Sequence, residues 1–117
     1  VMYEEGEGVE QSYEEAIKLY KLAAERGESD AITNLGFIYS EGRGVDKNPK
    51  EAYDWYLKAA EKGNSTAMYQ IGLMFLDGIG IKKNVKVGKD WIEKAQQHGN
   101  NNAKIKLEEM SKGKKKK

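Results

Sequence analysis

The chain has no cysteine, one proline, one histidine and no long apolar run. Without cysteine there is no disulfide, no thiolate metal site and no thiol nucleophile. A single histidine cannot build an imidazole metal cluster, so the sequence implies neither a metal nor a cofactor. No apolar stretch approaches the ~18 residues that a membrane span requires. The opening, Val1-Met2-Tyr3-Glu4-Glu5, is acidic and lacks the basic and apolar regions of a signal peptide. The compartment stays open, since cytoplasmic and exported chains alike can do without cysteine.

What is present suits one water-exposed domain: 117 residues, 33% of them charged and 38% apolar. The net charge of +1 conceals a dipolar arrangement. Residues 1–30 hold nine acids and three bases, whereas residues 82–117 hold four acids and twelve lysines.

Self-comparison shows a period of 36 residues. Tyr3, Tyr39 and Phe75 fall in register, as do Gly6, Gly42 and Gly78, then Gly8, Gly44 and Gly80. Ala16, Ala52 and Gly88 align, followed by Tyr20, Tyr56 and Ile92, and by Gly27, Gly63 and Gly99. Within each unit the apolar residues have helical spacing. Ala31, Leu35, Ile38 and Tyr39 form one stripe, and Ala52, Tyr56, Ala59 and Ala60 another. Ser12-Tyr13-Glu14-Glu15 reads as a capping box, and Asn48-Pro49-Lys50-Glu51 as a second with proline at the first helical position. Gly27, Gly63 and Gly99 end the second helices, after Arg26, Lys62 and His98. Gly36 and Gly72 lie inside first helices, where each costs about 1 kcal/mol against alanine. Their recurrence implies a close approach of the second helix, eased by Ala23, Ala24, Ala59 and Ala60.

The fold class is therefore all-α: an α-solenoid of antiparallel helix pairs, an α/α superhelix of 36-residue repeats. The pattern Ala-x3-Leu-Gly-x2-Tyr-x2-Gly-x-Gly-Val, then Ala-x3-Tyr-x2-Ala-Ala-x2-Gly, runs from Ala31 to Gly63 and resembles the Sel-one-like repeat, a relative of the tetratricopeptide repeat. Ala67 to Gly99 carry a degraded copy, in which Gly88 and Gln96 replace alanines and make the second helix less regular. Residues 1–112 form the expected solenoid: a truncated first repeat at 1–30, repeats at 31–66 and 67–102, and a capping helix at 103–112. Val1 corresponds to Phe37, so the chain is expected to continue a longer solenoid. In the fourth first helix Glu108 stands where glycine belongs, which suits a cap, and 113–117 reads as a disordered lysine tail. The resemblance implies an adaptor or scaffold with no shared catalytic residue, hence not an enzyme.

Other chemistry is weak. The loops Gly6-Glu7-Gly8, Gly42-Arg43-Gly44 and Gly78-Ile79-Gly80 lack the third glycine and the lysine–serine of phosphate-binding loops and read as helix-to-helix turns. His98, beside Gly99, reads as a helix cap. Glu14-Glu15 and Glu108-Glu109 point to different helix faces and suit no paired acid–base work. Asn64-Ser65-Thr66 fits a glycosylation sequon but doubles as a helix start. The lysines near the C-terminus have neither interleaved aromatics nor arginine, which disfavours nucleic acid.

In tetratricopeptide-type stacks the first helices line a concave surface. Similarity to that arrangement implies a partner protein or peptide held by Thr33, Phe37, Ser40, Tyr69, Leu73, Leu76 and Ile105, with Glu41 and Asp77 on the same side. On this reading Phe37→Ala or Leu73→Ala would remove binding and leave the Tm nearly unchanged. Two alternatives are a regulatory or targeting module of a larger protein and an envelope factor that binds cell-wall glycan through Trp55 and Trp91. Neither the partner's identity nor the oligomeric state can be read from these residues.

Overall fold

The structure is a computed structural model that describes residues 7–115, with side chains described for 13–112. The described residues form six helices and no strand: α1 (Glu7–Glu25), α2 (Ser29–Glu41), α3 (Pro49–Glu61), α4 (Ser65–Asp77), α5 (Val85–Gln97) and α6 (Asn101–Lys115). Each helix packs chiefly on its neighbours in sequence, with α2 on α3 and α4 on α5 as the most intimate pairs. The expected solenoid is therefore present, drawn out to 54 × 31 × 27 Å.

The core follows the apolar stripes. Leu35, Tyr56, Met68, Ile71 and Ile92 are fully buried, each contributing on the order of 1.5–3 kcal/mol. The helices within a pair approach closely at the internal glycines, but the partners differ from those expected. A β-carbon on Gly36 would run into the ring of Tyr56, not into alanine. One on Gly72 would strike Ile92 and lie 2.9 Å from the carbonyl oxygen of Gly88. Gly88 returns the constraint, because its β-carbon would lie 2.8 Å from the oxygen of Gly72 and 3.0 Å from Leu76 Cδ2. Glycine at 88 is thus an adaptation to close contact, and α5 is as regular and as long as α3, 13 residues each. This corrects the reading of that helix as irregular.

Helix starts are set by asparagine. The side-chain oxygens of Asn48, Asn64, Asn84 and Asn100 accept from the backbone N–H of Glu51, Ala67, Val87 and Ala103 at 2.8–3.1 Å. Asn64 and Asn100 also reach back one repeat. The Asn64 amide donates to Asp30 Oδ1 at 2.9 Å and to Ser29 Oγ at 3.3 Å, and that of Asn100 to Ser65 O at 3.4 Å. The Asn64 amide is therefore engaged as a clamp. At Asn48 only half of the expected box forms, because the Glu51 carboxylate receives the Trp55 indole N–H at 3.3 Å.

The turns between first and second helices repeat. Asn48 N–H donates to Tyr39 O at 2.7 Å, and Asn84 N–H to Phe75 O at 2.8 Å. Gly80, at φ +70°, lies so near the start of α3 that a β-carbon would sit 2.5 Å from Pro49 Cβ. Both the left-handed backbone and the missing side chain are needed there.

The first unit departs from expectation. Residues 7–12 continue α1, so neither the turn through Glu7-Gly8 nor a helix start at Ser12 forms. The closed turns draw on a preceding first helix for the acceptor at Tyr39 or Phe75; the counterpart, Tyr3, lies outside the described residues. Glutamates and Gln11 then favour helix locally. At the other end α6 continues to Lys115, into the expected tail; residues 116 and 117 and the side chains of 113–117 lie outside the described residues.

Two substitutions test this account by thermal and urea unfolding. Gly88→Ala restores the alanine of the other repeats and gains helix propensity, yet it should destabilise by about 1–3 kcal/mol through overpacking. Glu28 begins α2 without a side-chain cap, where Asn64 and Asn100 cap α4 and α6. Glu28→Asn should therefore stabilise by about 1 kcal/mol.

Candidate functional site

The structure treats the seven sequence-derived positions unequally. Thr33 is 4% exposed and its hydroxyl donates to Ser29 O, four residues earlier, at 2.9 Å. It belongs to the core and is not open to a partner, because its short side chain turns back on its own helix. Leu76 is half-buried and leans on Gly88 of α5. Phe37, Tyr69 and Leu73 are half-buried and packed against the main core. Ser40 is half-buried, and Ile105 is 53% exposed.

Phe37 and Leu73 thus serve the fold as well as any surface. The Phe37 ring meets Tyr56 edge-on, with centroids 5.6 Å apart. Truncating Phe37 removes that contact, so the expected indifference of the Tm does not follow from the packing. Residues that report on a surface alone lie beside them. Asn34 is exposed at the place that Gln70 takes on α4, and Glu41 at the place of Asp77.

Asn34, Phe37, Ile38 and Glu41 line a cavity of about 380 Å³ together with Tyr13, Ala16 and Tyr20 of α1 and Arg43 of the following loop. Positions 34, 37 and 41 are three and four residues apart and share one helix face. Ala16 and Tyr20 stand in register with Ala52 and Tyr56, which α2 covers, so this space is the one a first helix takes in the next repeat. Arg43 Nε meets Glu41 Oε1 at 2.5 Å. The amides Asn34 and Gln70 escaped the sequence reading, although the 36-residue register contained them.

Tyr56 is 1% exposed and its hydroxyl has no hydrogen-bond partner. Burial pushes its pKa well above the ordinary 10.0; Ser40 opposes the shift from close by without meeting the hydroxyl in hydrogen-bonding geometry, and the Glu41 carboxylate adds to it. The phenol of Tyr69 is also raised, by burial first and then by the carboxylate of Glu109.

On the second helices Trp55 and Trp91 are half-buried and packed against the main core. Lys58 Nζ sits 4.6 Å from the Trp55 ring centroid and Lys94 Nζ 5.2 Å from that of Trp91. The larger cleft at Trp55, about 650 Å³, is lined by Ile32 and Ala24 and rimmed by Lys21, Glu25, Lys58, Glu61 and Lys62. His98 caps α5 as expected, its ring Nδ1 3.0 Å from Lys94 O. Among the described residues no group of three or more histidines, aspartates or glutamates could hold a metal, and no helix is long and apolar enough to cross a membrane.

A family model described as Sel1 repeat matches residues 1–28, 29–64 and 65–100. Among solved structures the chain is similar to a Sel1 repeat protein from Oxalobacter formigenes, with 35% identity and a TM-score of 0.66 over 68% of this chain and 33% of that one. It is also similar to a protective antigen of uropathogenic Escherichia coli that displays this repeat fold, with 34% identity and a TM-score of 0.75 over 80% of this chain and 20% of the antigen. Cysteine rich protein B of Helicobacter pylori matches at 26% identity and a TM-score of 0.71, over 74% of this chain and 65% of that one. The chain thus spans about a third of the first protein and a fifth of the second. No curated protein matches it.

Tyr56 gives this region a testable titration. A phenol whose pKa is raised by folding favours the folded state below pH 10 and loses that contribution as pH climbs through the folded value. Tyr56→Phe removes an unpartnered hydroxyl, so the Tm at pH 7 should hold or rise slightly. Above pH 10 the variant should lose less stability than the parent, as read by unfolding at stepped pH.

Proposed function

The chain belongs to the Sel1 repeat family, and on that premise we propose that it is a non-enzymatic scaffold module that holds a partner protein or peptide against its first helices. Repeats of this kind generally serve protein interaction. The observation that supports the reading is the face shared by the first helices α2 and α4, where the exposed Asn34, Glu41 and Asp77 flank the half-buried Phe37 and Leu73. Polar side chains exposed beside apolar ones are the mixture that an interface uses.

Glycan binding at the tryptophans has less support. A sugar stacks on an open aromatic face, whereas Trp55 and Trp91 are half-buried and each has a lysine over its ring. Trp55 also spends its indole N–H on Glu51.

A photo-cross-linking residue at Asn34, compared with one at Asp54 on the exposed side of α3, tests the proposal in the protein's native cells. Discrete adducts from position 34 and none from 54 are expected. Equal labelling at the two positions would remove the first-helix surface from consideration.

A further inference from the structure

Positions 34, 37 and 41 of α2 carry an amide, a large apolar side chain and a carboxylate: Asn34, Phe37 and Glu41. The next first helix repeats the triplet in the same order, as Gln70, Leu73 and Asp77. On α6 the pattern ends, with Lys106 and Glu109 at the first two places. Two adjacent helices therefore present three parallel rows, one able to bond a peptide backbone through amides, one apolar and one anionic.

The two carboxylates differ in one respect. Glu41 is met by the guanidinium of Arg43 from its own loop. The residue in the place of Arg43 one repeat later is Ile79, which is 44% exposed. Among the described residues the Glu41–Arg43 contact is the one ion pair within 4.0 Å, so Asp77 stands exposed without a cation. Beside it lies an apolar side chain suited to the alkyl stem of an arginine. The first repeat thus shows, within the chain, the contact that the second repeat leaves incomplete.

We infer that the α2–α4 surface binds an extended cationic peptide segment, whose arginine takes at Asp77 the place that Arg43 holds at Glu41 and whose apolar side chains lie along Phe37 and Leu73. This rests on the first-helix reading of the partner surface given above and adds the partner's chemistry. A polyproline-type strand advances about 9 Å every three residues, so a peptide with a three-residue repeat presents like side chains at regular intervals along the surface. On α6 a lysine, Lys106, stands in the amide row and a carboxylate, Glu109, in the apolar row, so the pattern that defines the site stops at α4. An extended acidic segment is the competing occupant, and it would need Arg43 to leave Glu41.

The test uses the full chain and two labelled probes, repeated arginine–leucine–proline triplets and the same peptide with glutamate for arginine, read by fluorescence anisotropy. The arginine probe should bind more tightly, and raising the salt from low to physiological strength should weaken it. Asp77→Arg should weaken it at least about tenfold, which corresponds to 1.4 kcal/mol, with no change in Tm because Asp77 is exposed. Glutamate-probe binding that matches or exceeds the arginine probe overturns the inference, and so does an unchanged Kd in Asp77→Arg. If the glutamate probe wins while Asn34 still cross-links to a partner, the surface stands and only its assigned chemistry falls. If neither probe binds and Asn34 yields no adduct, the surface reading falls with it.

Discussion

Everything in this fold depends on how closely the two helices of a repeat can approach. At Gly36 the ring of Tyr56 occupies the space of a side chain, and at Gly72 the backbone of α4 meets the backbone of α5 at Gly88. Helices of 13 residues are marginal alone, so their stability must come from what they press against. Removing a side chain at the crossing lets the bulky residue of the second helix lie flat and bury fully, as Tyr56 and Ile92 do. A glycine inside a helix costs about 1 kcal/mol, and burying one large apolar side chain offsets it. The two repeats solve the same problem differently. A planar ring slides past Gly36 with alanine at 52, whereas the β-branched Ile92 comes with a second glycine at 88.

From that crossing the rest of the stack follows. Once the helices of a pair are locked, the turn between them is fixed, and its length forces a glycine against the helix of the preceding repeat, Gly80 against Pro49. The next repeat is then registered by asparagine, which caps its own helix and bonds the repeat before it. One residue type thus sets both where a helix starts and how far away its neighbour sits. Order passes along the chain through nearest neighbours, as expected of a quasi-one-dimensional protein.

The sequence displayed this architecture wherever the cause was local and periodic. Gly42 and Gly78, the glycines after Arg26, Lys62 and His98, and the alanine and aromatic stripes each report a condition met inside one repeat, and repetition multiplies the signal. It failed where the cause lies in another helix. Ser12 looks like a cap, but α1 runs through it from Glu7. Gly88 looks like a lapse from the pattern until the carbonyl of Gly72 is seen 2.8 Å from where its β-carbon would be. Thr33 sits on a plausible face by spacing alone, and only the packing around α2 shows that this face is closed. The surface was half legible for the same reason. Phe37 and Leu73 stood out as large apolar residues, whereas Asn34 and Gln70, ordinary polar residues, acquire meaning only once the face they share is known.

A repeat protein's functional surface is best sought where the period is kept in chemistry but relaxed in packing. Residues that hold the stack together recur because every repeat needs them, and their recurrence carries no information about a partner. Asn34 and Gln70, or Glu41 and Asp77, are not needed by the core, and nothing in the helix crossing or the asparagine clamps calls for an amide or a carboxylate there. Their repetition is what the proposed partner surface would use. The exchange of Arg43 for Ile79 at the same register sharpens this, since it leaves one of two equivalent carboxylates satisfied within the chain and the other facing solvent beside an apolar side chain. An exposed aspartate costs the fold nothing, so its place in a repeated pattern is better explained by what binds there than by what folds there.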